Sequence, residues 1–170
     1  MNLQFLLEKL YASEEFEKFK KENSDAFPCS CFFVIDLSEK NPEKKYHVDF
    51  FVPSVKKMFS FQTENSPITI LPVEIIGETE PNKIMINYEL DFDKIIKLVK
   101  DKMNSENIKN KLEKILISLQ NIKVKKQNKD FLICTIFISG FGLIKLNIDI
   151  VDWKITDFEK KSFIDFLRKG

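Results

Sequence analysis

Three side chains in the first third of the chain could act together chemically. Asp36, His47 and Asp49 fall on two predicted neighbouring strands, and an imidazole beside carboxylates can ligate a divalent metal or act as a general base. His47 is the single histidine of the chain, so a multi-histidine zinc site is excluded. His47 and Asp49 also fit the outward positions of an alternating strand. The pattern therefore favours a solvated face over a small metal-dependent or hydrolytic enzyme around His47.

The cysteines are a second candidate for chemistry. Cys29 and Cys31 form a C-x-C pair, and Cys134 is the only other cysteine. Two thiols on one side of a strand could supply two zinc ligands or a redox pair, but no second pair completes such a site. We expect buried thiols that pack as small hydrophobes, with no catalytic residue, no metal and no cofactor. An odd number of cysteines also argues against a disulfide framework and predicts a reducing cytoplasm.

Lysines are concentrated in one stretch. Residues 97–130 contain ten lysines and four acidic residues. Lysines at this density can neutralise phosphates, so an RNA- or ribosome-associated binder using the lysines of residues 109–129 is an alternative function. Arg168 is the only arginine, and specific nucleic-acid recognition depends strongly on the guanidinium fork. The ordinary interpretation is a solvated, lysine-rich helix face.

Aromatic residues are the fourth candidate feature, because the chain has 17 phenylalanines. Strand alternation does not assign Phe32, Phe51, Phe141 and Trp153 to one core face. Exposed aromatic side chains anchor protein interfaces, although many phenylalanines must fill a core on both sides of the sheet. The predicted partner-binding residues combine two of these aromatics with one lysine cluster: Lys123, Lys125, Lys126, Phe51 and Trp153.

The overall composition restricts the class of protein. Lys and Arg total 27 and Asp and Glu total 26, so the formal net charge is +1 and no global polycation exists. Four glycines are too few for the common glycine-rich phosphate loops. No window approaches the roughly 18 apolar residues of a membrane-spanning helix, and the first ten residues lack the pattern of a secretory signal. We expect a cytoplasmic protein with no membrane partner.

In the first half of the chain, the elements that must position these residues are helices followed by strands. Helical spacing predicts one helix, or two broken near Ser13, over residues 2–23. Alternation then predicts strands over 29–37, 46–52 and 55–62. Residues 68–76 are also β-rich, but Pro72 restricts that strand to an edge or a bulge. A further strand is predicted over 84–90.

The second half is predicted to contain three helices and two main strands. Asp91 and Ser105 are expected to cap helices over 92–103 and 105–119, and Thr156 is expected to cap a last helix. Residues 131–139 are apolar on both sides, which predicts a central strand. A return strand is predicted over 144–150.

The order of a helix followed by strands occurs twice, over residues 2–63 and 105–151. The first unit, with strands containing FFVIDL, YHVDFF and KMFSF, resembles the helix-plus-three-strand unit of PepSY-type and cystatin-like domains. That resemblance implies a binding or inhibitory module without catalytic residues.

The predicted fold class is α+β, an antiparallel curved sheet covered by helices. We expect one domain over 1–170 with possible halves 1–90 and 91–170. The predicted function is a protein-interaction or ligand-binding module that uses a partly apolar sheet face or groove with a lysine-rich rim, and its oligomeric state is left open.

Overall fold

The computed structural model describes residues 3–38, 45–62, 68–75, 79–124 and 126–162. Its helices are α1 (Leu3–Tyr11), α2 (Glu14–Glu22) and α3 (Phe92–Ser105). The strands of the first half are β1 (Phe27–Asp36), β2 (Tyr46–Val52), β3 (Lys57–Gln62) and β4 (Thr69–Val73). Those of the second half are β5 (Leu112–Val124), β6 (Gln127–Ile138), β7 (Gly142–Asp149) and β8 (Lys154–Ser162).

All eight strands belong to one antiparallel sheet with the order β4-β3-β2-β1-β5-β6-β7-β8. The predicted antiparallel sheet is therefore confirmed, and the described residues are mostly β with three helices, in rough agreement with the α+β class. Each half contributes helix and then four strands, and the first strand of one half, β1, pairs with the first strand of the other, β5. This strand order is symmetric about the β1–β5 pair. Residues 90 and 91 lie between the two sets of elements.

One side of the sheet contacts the helices, and we call it the helix-facing side. Phe16 and Phe19 of α2 lie 5.1 and 5.0 Å, between ring centroids, from Phe50 and Phe61 respectively. Phe92 of α3 lies 5.7 Å from Phe33 of β1. Alternate residues of the other strands join the same hydrophobic cluster, among them Ile117, Leu119, Cys134, Ile136, Leu146 and Ile148. Full burial of each such side chain stabilises the fold by about 1.5–3 kcal/mol.

Two predicted helix starts are confirmed, whereas Ser105 ends α3 instead of capping a further helix. The Ser13 side chain accepts a hydrogen bond from the Phe16 backbone N–H and separates α1 from α2. The Asp91 side chain accepts one from the Lys94 N–H at the start of α3. These caps satisfy backbone donors that have no partner within the helix.

Three sequence predictions of secondary structure are wrong. Residues 112–124 form the strand β5 instead of a helix over 105–119. Ile115 and Leu119 fit the helical spacing, but together with Ile117 they also fit a period of two. Pairing with β1 and β6 then decides for the strand. Residues 84–90 contain only an isolated bridge at Glu89.

The third error concerns the end of the chain. The segment after Thr156 belongs to β8, and the Thr156 hydroxyl donates to the Asn147 carbonyl at 3.4 Å instead of capping a helix. The rest of that predicted helix, including Phe163, Phe166 and Leu167, lies outside the described residues.

Among the residues described, none of the helices is both long enough and apolar enough to span a bilayer.

Candidate functional site

The side of the sheet opposite the helices carries a mixed surface, which we call the open face. At its centre it presents apolar side chains that are only partly buried, and Phe137 is 37% exposed. Beside them runs a polar row set by strand register, in which Asp49 pairs with Ser60 and Ser30, and Ser30 pairs with Gln120. The apolar members are Phe32, Val34, Leu116, Ile133 and Phe137.

A groove of about 630 Å³ lies along this polar row. Its described lining comes from β1, β2, β3, the segment after β4, and the β5–β6 hairpin. That volume is within the range of small-ligand sites. The polar lining residues are Ser30, Asp49, Glu74, Thr79, Glu80, Asn82, Ser118, Gln120, Asn121, Lys123 and Asn128, and the other lining residues are Cys29, Met58, Val73, Ile75, Pro81 and Ile122.

Asp49 is the most unusual residue of the groove. It is only 8% exposed. Its Oδ2 accepts a hydrogen bond from the Ser30 hydroxyl at 2.5 Å, whereas its Oδ1 is buried and has no hydrogen-bond partner. The imidazole Nε2 of His47 lies 3.7 Å from Oδ1, beyond hydrogen-bond distance. Buried carboxylate oxygens normally accept hydrogen bonds, so Oδ1 is an acceptor without its usual partner.

Asn121 adds a second acceptor of the same kind. Its side-chain amide donates to Asp130 Oδ1 at 2.6 Å, which fixes the orientation of the amide because the opposite one would place two oxygens together. Asn121 Oδ1 is then buried without a hydrogen-bond partner. Because side chains alternate along β5, that of Asn121 lies with Ile117 and Leu119 on the helix-facing side, on the other side of the sheet from Asp49.

A β-bulge separates the two neighbouring cysteines. The β1–β2 register shifts between Pro28 and Ser30, so Cys29 lines the groove while Cys31 joins the core cluster. The Cys29 thiol donates to the Asp49 carbonyl at 3.4 Å. Burial raises the pKa of Cys29 to about 12 and likewise raises the pKa of Cys31. Both thiols stay protonated at neutral pH and are poor nucleophiles.

The predicted trio of Asp36, His47 and Asp49 does not converge. His47 stacks on Phe32, with 4.9 Å between ring centroids, and Asp36 lies four residues further along β1, about 13 Å at the usual rise per residue. Asp36 instead accepts from Lys114 Nζ at 2.7 Å. That contact, with hydrogen bonds from Ser38, lowers the pKa of Asp36 to about 2.

Ser30, Asp49 and His47 also do not form a nucleophile–base pair. The carboxylate lies between the hydroxyl and the imidazole, whereas general-base activation of a serine requires the imidazole to contact the hydroxyl directly. Within the described ranges, no three His, Cys, Asp or Glu side chains are placed to hold a metal ion.

The predicted partner-binding lysines lie at the end of the β5–β6 hairpin. Lys123 is exposed and lines the groove, and Lys126 is exposed at the turn with φ 76°. Lys125 lies outside the described residues. Lys111 precedes the other end of β5, about 40 Å from Lys123 at the rise of a strand, so the lysines of residues 109–129 do not form one patch.

The two predicted aromatic anchors are in different surroundings. Phe51 is 1% exposed and packs edge-on against Phe27 at 5.7 Å, so it offers no contact surface. Trp153 is partly buried against the core, with φ 54° and the Lys94 ammonium 4.1 Å above its ring. Neither lines the groove. Phe141, by contrast, is 83% exposed in the β6–β7 turn.

A smaller cavity of about 280 Å³ lies beside the groove and is bordered by Asp130 and Asp149. Asp130 accepts from the Met85 N–H and from Asn121, and Asp149 accepts from the Val151 N–H. Burial, followed by the nearby Asp130, raises the pKa of Tyr88 to about 12. These carboxylates are engaged in local structure, and Asn121, whose Oδ1 has no hydrogen-bond partner, borders this cavity as well.

Sequence reasoning missed Ser30, Gln120 and Asn121. Only Ser30 carries a signal that could have identified it, since it lies between the two cysteines on the same predicted strand as Asp36. Gln120 and Asn121 follow the segment predicted as a helix, and the place of Gln120 in the groove depends on pairing between strands about 90 residues apart.

No protein family model matches this chain, and no curated protein or solved structure matches it either. No function is therefore carried over from a relative. The resemblance of residues 2–63 to PepSY-type and cystatin-like units stays a prediction.

Proposed function

We propose that the protein is a binding module and that the groove of the open face is its ligand-binding site. The observation that carries this proposal is the buried acceptor Asp49 Oδ1, which has no hydrogen-bond partner and belongs to a residue that lines a groove of about 630 Å³. Leaving a buried polar atom without a hydrogen bond costs about 1–3 kcal/mol. A ligand that donates to this atom recovers that energy.

The apolar part of the open face favours a protein as the partner. That protein would carry the ligand group or present it to the groove. Phe32, Leu116 and Ile133 are partly exposed in adjacent strands, and Phe137 is 37% exposed beside them. Apolar side chains grouped on one surface are typical of interaction sites. Lys123 at the groove and Lys126 at the hairpin turn form the basic rim of this surface. The proposal includes a reducing, cytoplasmic setting, since all three cysteines are free and buried.

The experiment that tests the proposal compares the wild-type chain with Ser118→Trp, a substitution that fills the groove from β5. Both proteins are screened by thermal shift against one mixed set of metabolites and short peptides. We expect some compounds to raise the midpoint of the wild type and to leave Ser118→Trp unchanged, because a ligand that binds only the native state stabilises it.

Two results would contradict the proposal. One is that no compound distinguishes the two proteins, although Ser118→Trp unfolds at a similar midpoint without ligand. The other is binding of RNA alone, with affinity falling steeply with salt and equal for both proteins. That result would instead support a nucleic-acid binder acting through the lysines.

A further inference from the structure

The charged residues of the groove favour one sign of ligand. Its described lining contains three carboxylates, Asp49, Glu74 and Glu80, and one ammonium group, Lys123. Glu80 contacts Lys56 Nζ at 3.8 Å, but both side chains are more than half exposed, so that pair leaves Glu80 largely solvated. Asp49 is the only one of the three carboxylates that is buried. The groove therefore presents net negative charge with one desolvated carboxylate at its base.

The unused oxygen of Asp49 is an acceptor. Asp49 Oδ1 lacks a donor, while the neighbouring hydroxyl of Ser30 is already committed to Asp49 Oδ2. An anionic ligand would bring a further negative charge next to a buried carboxylate, which is strongly unfavourable at low dielectric. A neutral donor would satisfy the hydrogen bond but would add no positive charge beside the carboxylate, whose basic neighbour is the imidazole of His47 at 3.7 Å. A cationic donor does both.

The remaining lining suits an aliphatic stem behind a charged head. Met58, Val73, Ile75 and Ile122 border the same groove. Lysine-like and arginine-like chains pack methylene groups against such surfaces while their charged ends reach polar partners.

We propose that the groove binds an alkyl ammonium or guanidinium group, with Asp49 as its counter-ion. This inference rests on the proposed function, since it names the ligand class of the same groove. The cation has two possible sources, a free diamine-type metabolite or a lysine or arginine side chain presented by a protein partner. Both present the same chemistry to Asp49.

The test is isothermal titration calorimetry of the full chain with four probes. Agmatine and a capped arginine peptide carry the cation, while hexanoate and hexanol have an aliphatic stem but an anionic or a neutral head. We expect both cationic probes to bind and both others to fail. Tighter binding of the peptide assigns the source to a protein partner, and tighter binding of agmatine assigns it to a small molecule.

Substitutions that change the charge of the groove should change the affinity for agmatine in opposite directions. Asp49→Asn should weaken agmatine binding about tenfold or more, since a charge-assisted hydrogen bond is lost. Glu80→Gln should weaken it about twofold, and Lys123→Gln should strengthen it by a similar factor, because a like charge leaves the groove. Asp36→Asn removes a carboxylate from the same sheet outside the groove lining and should leave affinity unchanged.

Failure of this inference and failure of the proposed function give different results. If hexanoate or hexanol binds the wild type but not Ser118→Trp, and neither cationic probe binds, the ligand class is wrong while the groove remains a binding site. If Lys123→Gln weakens agmatine binding or Asp49→Asn leaves it unchanged, the assignment of Asp49 as counter-ion is overturned. Because Glu80 is exposed, Glu80→Gln keeps the test available even where Asp49→Asn impairs folding.

Discussion

On β2, Val48 and Phe50 face the helices, whereas their immediate neighbours His47 and Asp49 lie on the open face. Phe50 packs between aromatic rings of α1, α2 and β3. Asp49 has one hydrogen-bonded oxygen and one orphaned oxygen. Around Phe50 the helix-facing side is thus closely packed, whereas at Asp49 the open face contains a buried oxygen without a hydrogen bond. Local departures from optimal stability are expected where a protein binds something.

The largest losses of stability are expected from substitutions on the helix-facing side. Phe50→Ala removes a 1% exposed ring that contacts Phe16, Phe19 and Phe61. It should lower the free energy of unfolding by about 3–5 kcal/mol, measured by urea denaturation. Phe137→Ala on the open face is the matched control and should cost less than about 1.5 kcal/mol. Equal losses would show that the open face is packed as tightly as the other.

A smaller loss of stability is expected at Gly142, where the helix-facing side has no room for an added Cβ atom. A Cβ at Gly142 would lie 2.6 Å from Ile138 Cγ1, which belongs to the core cluster. Gly142→Ala should therefore destabilise the protein by about 1–3 kcal/mol. Gly140→Asn in the adjacent turn should cost less, because asparagine adopts the positive φ of 78° more readily than most side chains and the space there is ordinary. A neutral Gly142→Ala would contradict the tight packing.

On the open face, one substitution should increase stability. Asp49→Asn removes a buried charge whose Oδ1 has no hydrogen bond, so in the absence of ligand it should raise the free energy of unfolding by up to about 1 kcal/mol. Urea denaturation of the ligand-free protein measures this change. A loss greater than about 1 kcal/mol would mean that the carboxylate serves the fold rather than a ligand.

The smallest effect on stability is expected at Asp36, a carboxylate of the open face that is already paired with Lys114. The folded-state pKa of Asp36 is about 2, below its ordinary value, because of Lys114 and Ser38. Its contribution is present above about pH 4 and is lost as the pH falls towards about 2. Lys114 is partly exposed, so the contribution should stay under about 1 kcal/mol. The difference in unfolding free energy between wild type and Asp36→Asn should shrink over that interval; a constant difference would contradict the ion pair.

Local sequence determined the features that depend on neighbouring residues. Ser13 and Asp91 cap helices because a short polar side chain can reach backbone N–H groups three residues on. The strands β1, β2 and β3 follow from alternation, and Pro72 places β4 at the edge because proline cannot donate to a further strand. The buried thiols likewise agree with the expectation of cysteines that pack as small hydrophobes.

Only the tertiary structure decided what depends on distant partners. The apolar spacing of β5 fits a helix and a strand equally well, and pairing with β1 and β6 selected the strand. The bulge after Pro28 sent Cys29 and Cys31 to different surroundings. Register between β1, β2 and β5 brought Ser30, Asp49 and Gln120 into one row. The sequence alone determines residue types and local periodicity. Strand register depends on residues far apart in the chain, and the groove depends on strand register.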